Sequence, residues 1–243
     1  MTEVNEKQKI MVLICAHNEE KKIGKTVTSI PKGAVDEIVV VDDGSTDMTA
    51  RIARQLGVTV LPIPQRKGVG HALRYGIAYA QKQACSILVI MAGNSKDDGS
   101  QIPRLTQPIS RGEAVFVQGS RYLPGGAFDR LPLYRFVATR FIHPLLYFLF
   151  TGKKMTDTTN GFRAIAMSFF DDPRIIMQQD WLTQYELEPY LLFKALTLGY
   201  ALQEVPVSKI YPPKELGYSK MPPVVGWWSI LRPVLFLGLR IRK

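Results

Sequence analysis

The sequence predicts an α/β protein with a doubly wound, mostly parallel sheet flanked by helices. Short apolar runs rich in Val and Ile alternate with helix-length segments through the first half of the chain, as strand–helix–strand units do. Polar clusters follow these runs, which is typical of a sheet whose loops bind a ligand at the carboxyl ends of its strands. The chain has 243 residues, 46% of them hydrophobic, which is enough for one large domain.

Five strands and four helices are predicted in turn up to residue 117. Each strand is a buried apolar run, and each helix is a longer segment between two such runs. Thr46 is expected to cap the second helix, with Asp47 in its first turn, and Pro103 is tolerable in the first turn of the fourth. The strands are predicted at 10–16, 37–41, 58–61, 87–91 and 114–117, and the helices at 22–30, 46–56, 68–83 and 102–110.

The second half of the chain is less regular, and we predict one domain over residues 1–222 with an apolar and basic segment at 223–243. The segments 133–150 and 224–239 mix aromatic and aliphatic residues with Arg, as amphipathic helices in a membrane interface do. The alternative for the C-terminal segment is a helix packed on the core with a solvated basic tail. No uninterrupted run of about 18 apolar residues predicts a spanning helix.

The composition restricts the partners and the location. A formal charge of +10 suits phosphates, an anionic membrane surface or nucleic acid. No aromatic–basic recognition motif supports nucleic-acid binding. Cys15 and Cys85 read as small buried residues rather than a disulfide framework, and residues 1–9 do not form a signal peptide. We therefore expect a cytoplasmic protein associated peripherally with the membrane.

Asp42 and Asp43 end the second strand and are the first candidate binding residues. Two acids in such a loop suit a sugar nucleotide, one binding base or ribose groups and the other lying near a metal–diphosphate. The alternative is an ordinary Asp–Gly turn. The polar clusters share one edge of the sheet, and their mixture of acids and bases fits a diphosphate bridged by a divalent cation. No G-x-G-x-x-G follows the first strand, and no Walker A motif is present.

Several blocks resemble a known family. Val12–Glu20 and Val39–Thr46 are similar to the opening of the inverting family 2 glycosyltransferases, which have the GT-A fold, and Arg66–Arg74 resembles their Gly-rich helix start. Gly119–Tyr122 and Thr156–Ala164 resemble the branch of the dolichol-phosphate mannose synthases. The resemblance implies transfer of a sugar, with inversion, from a UDP- or GDP-linked donor to a polyprenyl phosphate at the cytoplasmic face of the membrane.

The same resemblance implies roles for individual residues. Arg121 would contact the diphosphate or the acceptor phosphate, and Arg135 and Lys220 would add positive charge. For Arg135 the alternative is the solvated face of an interfacial helix. A phosphate acceptor is already ionised at pH 7 and needs no strong general base. The residues implied to bind the nucleotide sugar are Ala16, Asn18, Glu19, Asp42, Asp43, Gly44, Lys67, Gly68, Gly93 and Asn94.

The chain departs from the family after the fourth strand, where an Asp-x-Asp motif usually holds a divalent metal. Ala92 and Asn94 replace both acids. In one interpretation Asn94, with Asp97 or Asp98, still holds Mg²⁺ or Mn²⁺. In a second, Lys96 replaces part of the charge of the metal. In a third, the protein binds nucleotide weakly and has lost transfer activity.

Further alternatives remain at this stage. The acceptor could be a glycan or glycolipid hydroxyl, which needs a base, or the protein could be a nucleotide-sugar-binding partner subunit without turnover. The C-terminal segment could also join a homo- or hetero-oligomer. Glu186 and Glu188 either complement a helix dipole or contact the donor sugar. Asp157 either orients Arg163 or a sugar hydroxyl, or forms a structural ion pair.

Overall fold

A seven-stranded sheet forms the centre of the protein, with strands in the order β3-β2-β1-β4-β7-β5-β8, and β6 and β9 form a separate parallel pair. The computed structural model describes residues 8–213 and 223–242. The strands are β1 Ile10–Ala16, β2 Glu37–Asp43, β3 Thr59–Ile63, β4 Ile87–Ala92, β5 Phe116–Ser120, β6 Ala127–Asp129, β7 Arg163–Ala166, β8 Leu202–Pro206 and β9 Ser208–Ile210. The helices are α1 Glu20–Thr28, α2 Thr49–Gln55, α3 Val69–Lys82, α4 Ile102–Ser110, α5 Leu133–Val137, α6 His143–Thr151, α7 Leu187–Thr197 and α8 Pro223–Gly238.

The direction of the strands explains where the polar loops meet. β1, β2, β3 and β4 are mutually parallel, so their carboxyl ends lie at one edge of the sheet. β7 lies between β4 and β5 and is antiparallel to both. Its amino end therefore lies at that same edge, as does the carboxyl end of β5. The prediction of a mostly parallel, helix-flanked sheet is confirmed.

The strands alternate their side chains between two hydrophobic cores, as the twofold period of a strand requires. Met11 and Leu13 face the core that includes α3, α6, α7 and α8, whereas Val12 and Ile14 face the core under α1, α2 and α4. Both sets of side chains are fully buried. This two-sided burial explains why the strands read as continuous apolar runs rather than alternating ones.

Some local predictions were wrong. The second helix begins at Thr49 rather than at Thr46, because the carboxylate of Asp47 accepts hydrogen bonds from the backbone N–H and hydroxyl of Thr49 at 2.9 and 2.5 Å. Asp47 therefore lies outside the helix and satisfies the N–H that Thr46 was expected to cap. The fifth strand runs to Ser120, three residues further than predicted.

The second half of the chain adds the layer that closes one side of the site. A five-residue π-helical segment, Ala138–Ile142, joins α5 to α6, and α8 packs on α6 and α7. Val234 and Leu237 of α8 are buried in the core. Over the described ranges 8–213 and 223–242, no helix combines the length and the apolarity needed to cross a bilayer.

Candidate active site

A cavity of about 280 Å³ opens at the edge of the sheet where the polar loops meet. Its lining comes from the ends of β1, β2 and β4, from the segment before β7, and from α5 and α8. Of its described lining residues, seven are Lys or Arg and three are Asp or Glu. The site is therefore predominantly cationic, and a ligand that carries several negative charges fits it.

Asp43 joins two of the predicted nucleotide-binding loops. Its buried carboxylate accepts hydrogen bonds from the backbone N–H groups of Lys67 at 2.7 Å and Gly68 at 2.8 Å. A ring nitrogen of His17 lies 2.8 Å from the Asp43 carbonyl oxygen. One acid thus fixes the loops that follow β1, β2 and β3 at the mouth of the cavity.

Asp42 and Gly44 flank this acid. Asp42 is buried, and its Oδ1 has no hydrogen-bond partner among the residues that the structure describes. Asp42 does not line the cavity, in contrast to Asp43. Gly44 has a φ of +64°, and a Cβ there would lie 2.4 Å from the backbone nitrogen of Arg66. Only glycine therefore allows the two loops to approach this closely.

Asn18 and Glu19 hold the loop after β1. The Asn18 side-chain oxygen accepts a hydrogen bond from the Thr46 N–H at 2.8 Å, and the residue has a φ of +51°. Glu19 forms a buried ion pair with Lys22 at 2.6 Å, and both residues line the cavity. Ala16 also lines it, at the end of β1. These residues belong to the loops after β1, β2 and β3, which we call the donor end of the cavity because the resemblance implies that they bind the nucleotide sugar.

The segment after β4 lies beside this end, but it does not bring the predicted metal ligands together. Asn94 and Lys96 line the cavity, whereas Asp97 and Asp98 do not. Asp98 accepts hydrogen bonds from the Ser100 N–H and hydroxyl and caps a short 3₁₀ helix. Gly93 packs against the end of β1, where a Cβ would lie 2.9 Å from that of Ala16.

Lys96 is a buried cation of the site whose pKa is strongly lowered. Burial, followed by repulsion from Lys209, lowers its pKa to about 7, and Asp97 opposes this shift. Its ammonium lies 4.4 Å from the centre of the Tyr211 ring. Lys209 itself forms an ion pair with Asp97 at 2.5 Å and donates to the Asn160 side-chain oxygen at 3.0 Å.

Arg121 is held rigidly at the side of the cavity. Its Nε and Nη2 donate to the two oxygens of Asp157 at 2.6 and 2.7 Å, and Nη2 also donates to Thr159. Both members of the pair are buried. Burial alone would raise the pKa of Asp157, but the charge and hydrogen bonds of Arg121 lower it. Asp157 thus orients Arg121 rather than Arg163, which lies 3.6 Å from Glu188 instead.

Arg135 lies at the end of the cavity that α5 and α8 form, which we call the acceptor end because the resemblance implies that Arg135 adds positive charge around the reacting phosphates. It is only 8% exposed and lines the cavity with Thr139, Trp227 and Ile230, so it does not lie on a solvated helix face. His143 connects the segment before β7 with α8, since its two ring nitrogens lie 2.8 Å from the Thr158 hydroxyl and 3.3 Å from the Ile230 carbonyl oxygen. Lys220, which was predicted to add charge here, lies outside the described residues.

Sequence reasoning missed several lining residues. Lys209 and Trp227 belong to no recognised block, and nothing in their local sequence distinguishes them from ordinary strand and helix residues. Arg163 was considered only as a partner of Asp157. Glu186, in contrast to Glu188, is fully occupied structurally, since it pairs with Arg232 at 2.6 Å and accepts from the Gln184 N–H.

Comparison with known proteins agrees with this geometry. The sequence profile described as Glycosyl transferase family 2 matches residues 11–173. A UDP-N-acetylglucosamine–dolichyl-phosphate N-acetylglucosaminyltransferase of Methanococcus voltae is 28% identical over 219 residues, which cover 83% of this chain and 86% of that protein. A polyprenol monophosphomannose synthase of Mycolicibacterium smegmatis is 28% identical over 223 residues, covering 88% and 81% of the two chains.

A solved structure shares the fold. The crystal structure of glucosyl-3-phosphoglycerate synthase from Mycobacterium tuberculosis, in complex with Mn²⁺, UDP and glucosyl-3-phosphoglycerate, matches with a TM-score of 0.68. The match covers 98% of this chain and 82% of that one at 22% sequence identity. At this identity the likeness concerns the fold alone.

Proposed function

The chain belongs to glycosyl transferase family 2, and from this premise we propose that it transfers a sugar from a nucleotide-sugar donor to a polyprenyl phosphate. The observation that carries the proposal is one cavity with two different ends. The donor end consists of loops that suit a nucleotide, and at the acceptor end Arg135 of α5 lines the cavity together with apolar side chains of α8. Two relatives are named as enzymes that use dolichyl phosphate or make polyprenol monophosphomannose.

The donor end supports binding of the nucleotide. His17, Asp43 and Arg66 line the cavity and can supply polar groups to the base and the ribose, whereas Asp42 does not line it. Asp43 orients the segment at Lys67 and Gly68. The diphosphate then extends from these loops toward Asn94, Lys96 and Arg121.

The displacement needs no protein base. An oxygen of the acceptor phosphate attacks the anomeric carbon, the bond from that carbon to the diphosphate breaks, and the diphosphate leaves with the electron pair. Because the attacking phosphate is already ionised, no proton has to be removed. Arg135 holds the attacking phosphate, and Arg121, fixed by Asp157, stabilises the charge that develops on the leaving diphosphate.

The predicted Mg²⁺ or Mn²⁺ fits this chain poorly. Mn²⁺ accompanies UDP in the solved structure of the same fold. In the described part of this chain, no group of three His, Cys, Asp or Glu side chains could hold a metal ion. We therefore assign the stabilisation of the diphosphate charge to the Lys and Arg side chains of the lining.

The outer surface at the acceptor end supports membrane association. Leu133 and Leu149 are 77% and 65% exposed. Cationic residues at 140, 240 and 242 flank this surface, as expected for a helix pair in an anionic interface. We call it the apolar ridge, and it consists of Leu133, Tyr134, Val137, Phe141, Ile142, Leu145, Phe148, Leu149, Val225 and Trp228. The protein would dock peripherally, with the lipid phosphate entering beside Arg135. The cytoplasmic location and the oligomeric state stay predictions.

The experiment compares two acceptors of equal chain length, a polyprenyl phosphate and the corresponding polyprenol, with labelled UDP- and GDP-sugars. We expect transfer to the phosphate only. Arg135→Met should reduce the rate about tenfold or more, the value of one charged hydrogen bond. Arg111→Met is the control, since Arg111 is exposed at the end of α4 and does not line the cavity.

Glu188 supports a second candidate, transfer to a glycan or glycolipid hydroxyl. It lines the cavity, and its side chain is 20% exposed beside Arg163. A carboxylate at this position could remove the proton of a hydroxyl acceptor. Transfer to a hydroxyl acceptor that Glu188→Gln abolishes, with no transfer to the polyprenyl phosphate, would replace the first proposal with this one.

A further inference from the structure

The residues that usually bind a metal in this family differ in this chain. Ala92 and Asn94 replace the two acids, and the cavity wall continues from them to Lys96. Another group must therefore neutralise the leaving diphosphate. The inference rests on the proposed use of a nucleotide-sugar donor and does not depend on the identity of the acceptor.

Lys96 is built into the wall of the cavity. It is only 8% exposed and lines the cavity, and its ammonium stacks on the ring of Tyr211. The loop that carries it is fixed on both sides, because the Ser95 N–H donates to Thr26 at 3.0 Å and the Lys96 N–H donates to the Asn94 side chain at 3.3 Å. The backbone of Lys96 is therefore fixed next to Asn94, and its ammonium lies against the Tyr211 ring in the cavity wall.

The nearby acids are committed elsewhere. Asp98 caps the 3₁₀ helix that follows. Asp97 Oδ1 binds the ammonium of Lys209 at 2.5 Å. Asp97 Oδ2 is buried without a hydrogen-bond partner in the described chain, but it belongs to the same neutralised carboxylate and does not line the cavity. A divalent cation at Asn94 would meet one amide oxygen and an adjacent ammonium, and hard cations bind poorly to such a set.

We propose that the ammonium of Lys96 takes the place of the divalent cation, so that this protein binds the nucleotide diphosphate without a metal ion. Lys22, Arg135 and Lys209 lie close enough to Lys96 to repel its charge. The excess of cationic over acidic side chains in the lining provides the remaining positive charge that a donor diphosphate and an acceptor phosphate need. An anion at this position relieves the repulsion among the cations, which a metal ion would increase.

The first test is calorimetry of the full chain with UDP and with GDP, each in EDTA and in MnCl₂. We expect the dissociation constant of the preferred nucleotide to agree within about twofold between the two conditions. Loss of binding in EDTA that MnCl₂ restores would overturn the proposal.

The second test changes the charge at one position. Lys96→Met, which keeps the length of the side chain, should weaken diphosphate binding about tenfold or more in EDTA, and Lys96→Arg should retain most of it. Lys82→Met is the control, because Lys82 is exposed at the end of α3 and does not line the cavity. Equal affinity of Lys96→Met and wild type would contradict the proposal, and a thermal melt identifies a variant that fails to fold.

The third test restores the family motif. The triple variant Ala92→Asp, Asn94→Asp, Lys96→Ala should bind the nucleotide only when Mn²⁺ is present. Binding by this variant in EDTA as tight as that of wild type would contradict a role for Lys96.

These outcomes separate the two proposals. Metal-free binding of UDP or GDP without any transfer to polyprenyl phosphate would overturn the proposed acceptor and leave the role of Lys96 standing. Transfer to polyprenyl phosphate that occurs only with Mn²⁺ would do the reverse. Failure of wild type to bind either nucleotide in both conditions would overturn both.

Discussion

The two ends of the cavity are built in different ways. At the donor end, side chains bind backbone groups of neighbouring loops, as Asp43 does with Lys67 and Gly68. At the side of the cavity and at its acceptor end, side chains bind one another, as Arg121 does with Asp157 and as His143 does with Thr158. Breaking the first kind of contact displaces a loop, whereas breaking the second leaves a buried charge or polar group unsatisfied.

We therefore expect the two ends to respond differently to substitution. Changes at the donor end should mainly alter the affinity for the nucleotide. Changes to the buried pairs behind the acceptor end should mainly alter the free energy of unfolding. The following predictions test this division, beginning with the largest expected effect.

Asp157→Ala should lower the free energy of unfolding by about 3–5 kcal/mol, because it leaves the guanidinium of Arg121 buried without its carboxylate. Urea denaturation measures the change. Asp129→Ala is the matched control, because its ion pair with Arg130 is exposed at 3.5 Å and contributes about 1 kcal/mol or less. Equal losses in the two variants would contradict a stabilising role for the buried pair of Arg121 and Asp157.

His143 should make the protein sensitive to acid. Burial lowers its pKa to about 4, against a hydrogen bond to Ile230 and the charge of Asp157 that raise it, whereas the unfolded chain protonates near the ordinary value of 6.5. Between these values the unfolded state holds more protons, so the free energy of unfolding falls as pH decreases from about 6.5 to 4, by about 3 kcal/mol.

Denaturation of wild type and His143→Gln across this range measures the effect. The variant should lose stability less steeply than wild type as the pH falls. His71→Gln is the control. Burial and Lys67 also lower the pKa of His71, but the residue is partly exposed, so this substitution should change the pH dependence less. A wild-type curve as flat as that of His143→Gln would contradict the prediction.

Asp43→Asn should weaken nucleotide binding about tenfold, because the two backbone N–H groups bind different oxygens of Asp43 and the amide nitrogen that replaces one of them cannot accept a hydrogen bond. Calorimetry with UDP and GDP measures the change. Asp98→Asn provides the comparison, since Asp98 caps a 3₁₀ helix and does not line the cavity. A larger loss for Asp98→Asn than for Asp43→Asn would instead support the ligand set predicted from the sequence.

The smallest effect on stability is expected at the apolar ridge. Leu133→Ser and Leu149→Ser should change the free energy of unfolding by about 0.5 kcal/mol or less, since both side chains are already exposed. Each should nevertheless reduce binding to anionic vesicles about tenfold or more, because each loses an apolar side chain that would enter the lipid. Flotation with vesicles measures this, with the exposed Leu56→Ser as control. Unchanged binding by both ridge variants would contradict membrane docking.

Features that are contiguous in sequence could be predicted, whereas contacts made by tertiary packing could not. The first four strands and the loop residues at 16–19, 42–44 and 67–68 are local features, because each strand run and its polar end are contiguous in sequence. The residues that complete the cavity come together only through tertiary packing. Lys209 reaches Asp97 over 112 positions, and the pairing of β7 with both β4 and β5 has no signature in its four residues. Burial of Arg135 likewise depends on α8, which is far away in sequence.

The π-helical segment Ala138–Ile142 has a consequence for insertions and deletions. A π-helical turn holds about one residue more than an α-helical turn, so it absorbs that residue and leaves α5 and α6 with nearly the relative rotation of one continuous α-helix. Deletion of one residue here would convert the segment to a regular α-helix and keep this rotation, whereas insertion of a further residue would rotate α6 by about 100° against α5. After such an insertion, His143 would turn away from Thr158, and part of the apolar ridge would turn inward while Arg135 kept its place. We therefore expect this segment to accept the deletion of one residue more readily than an insertion.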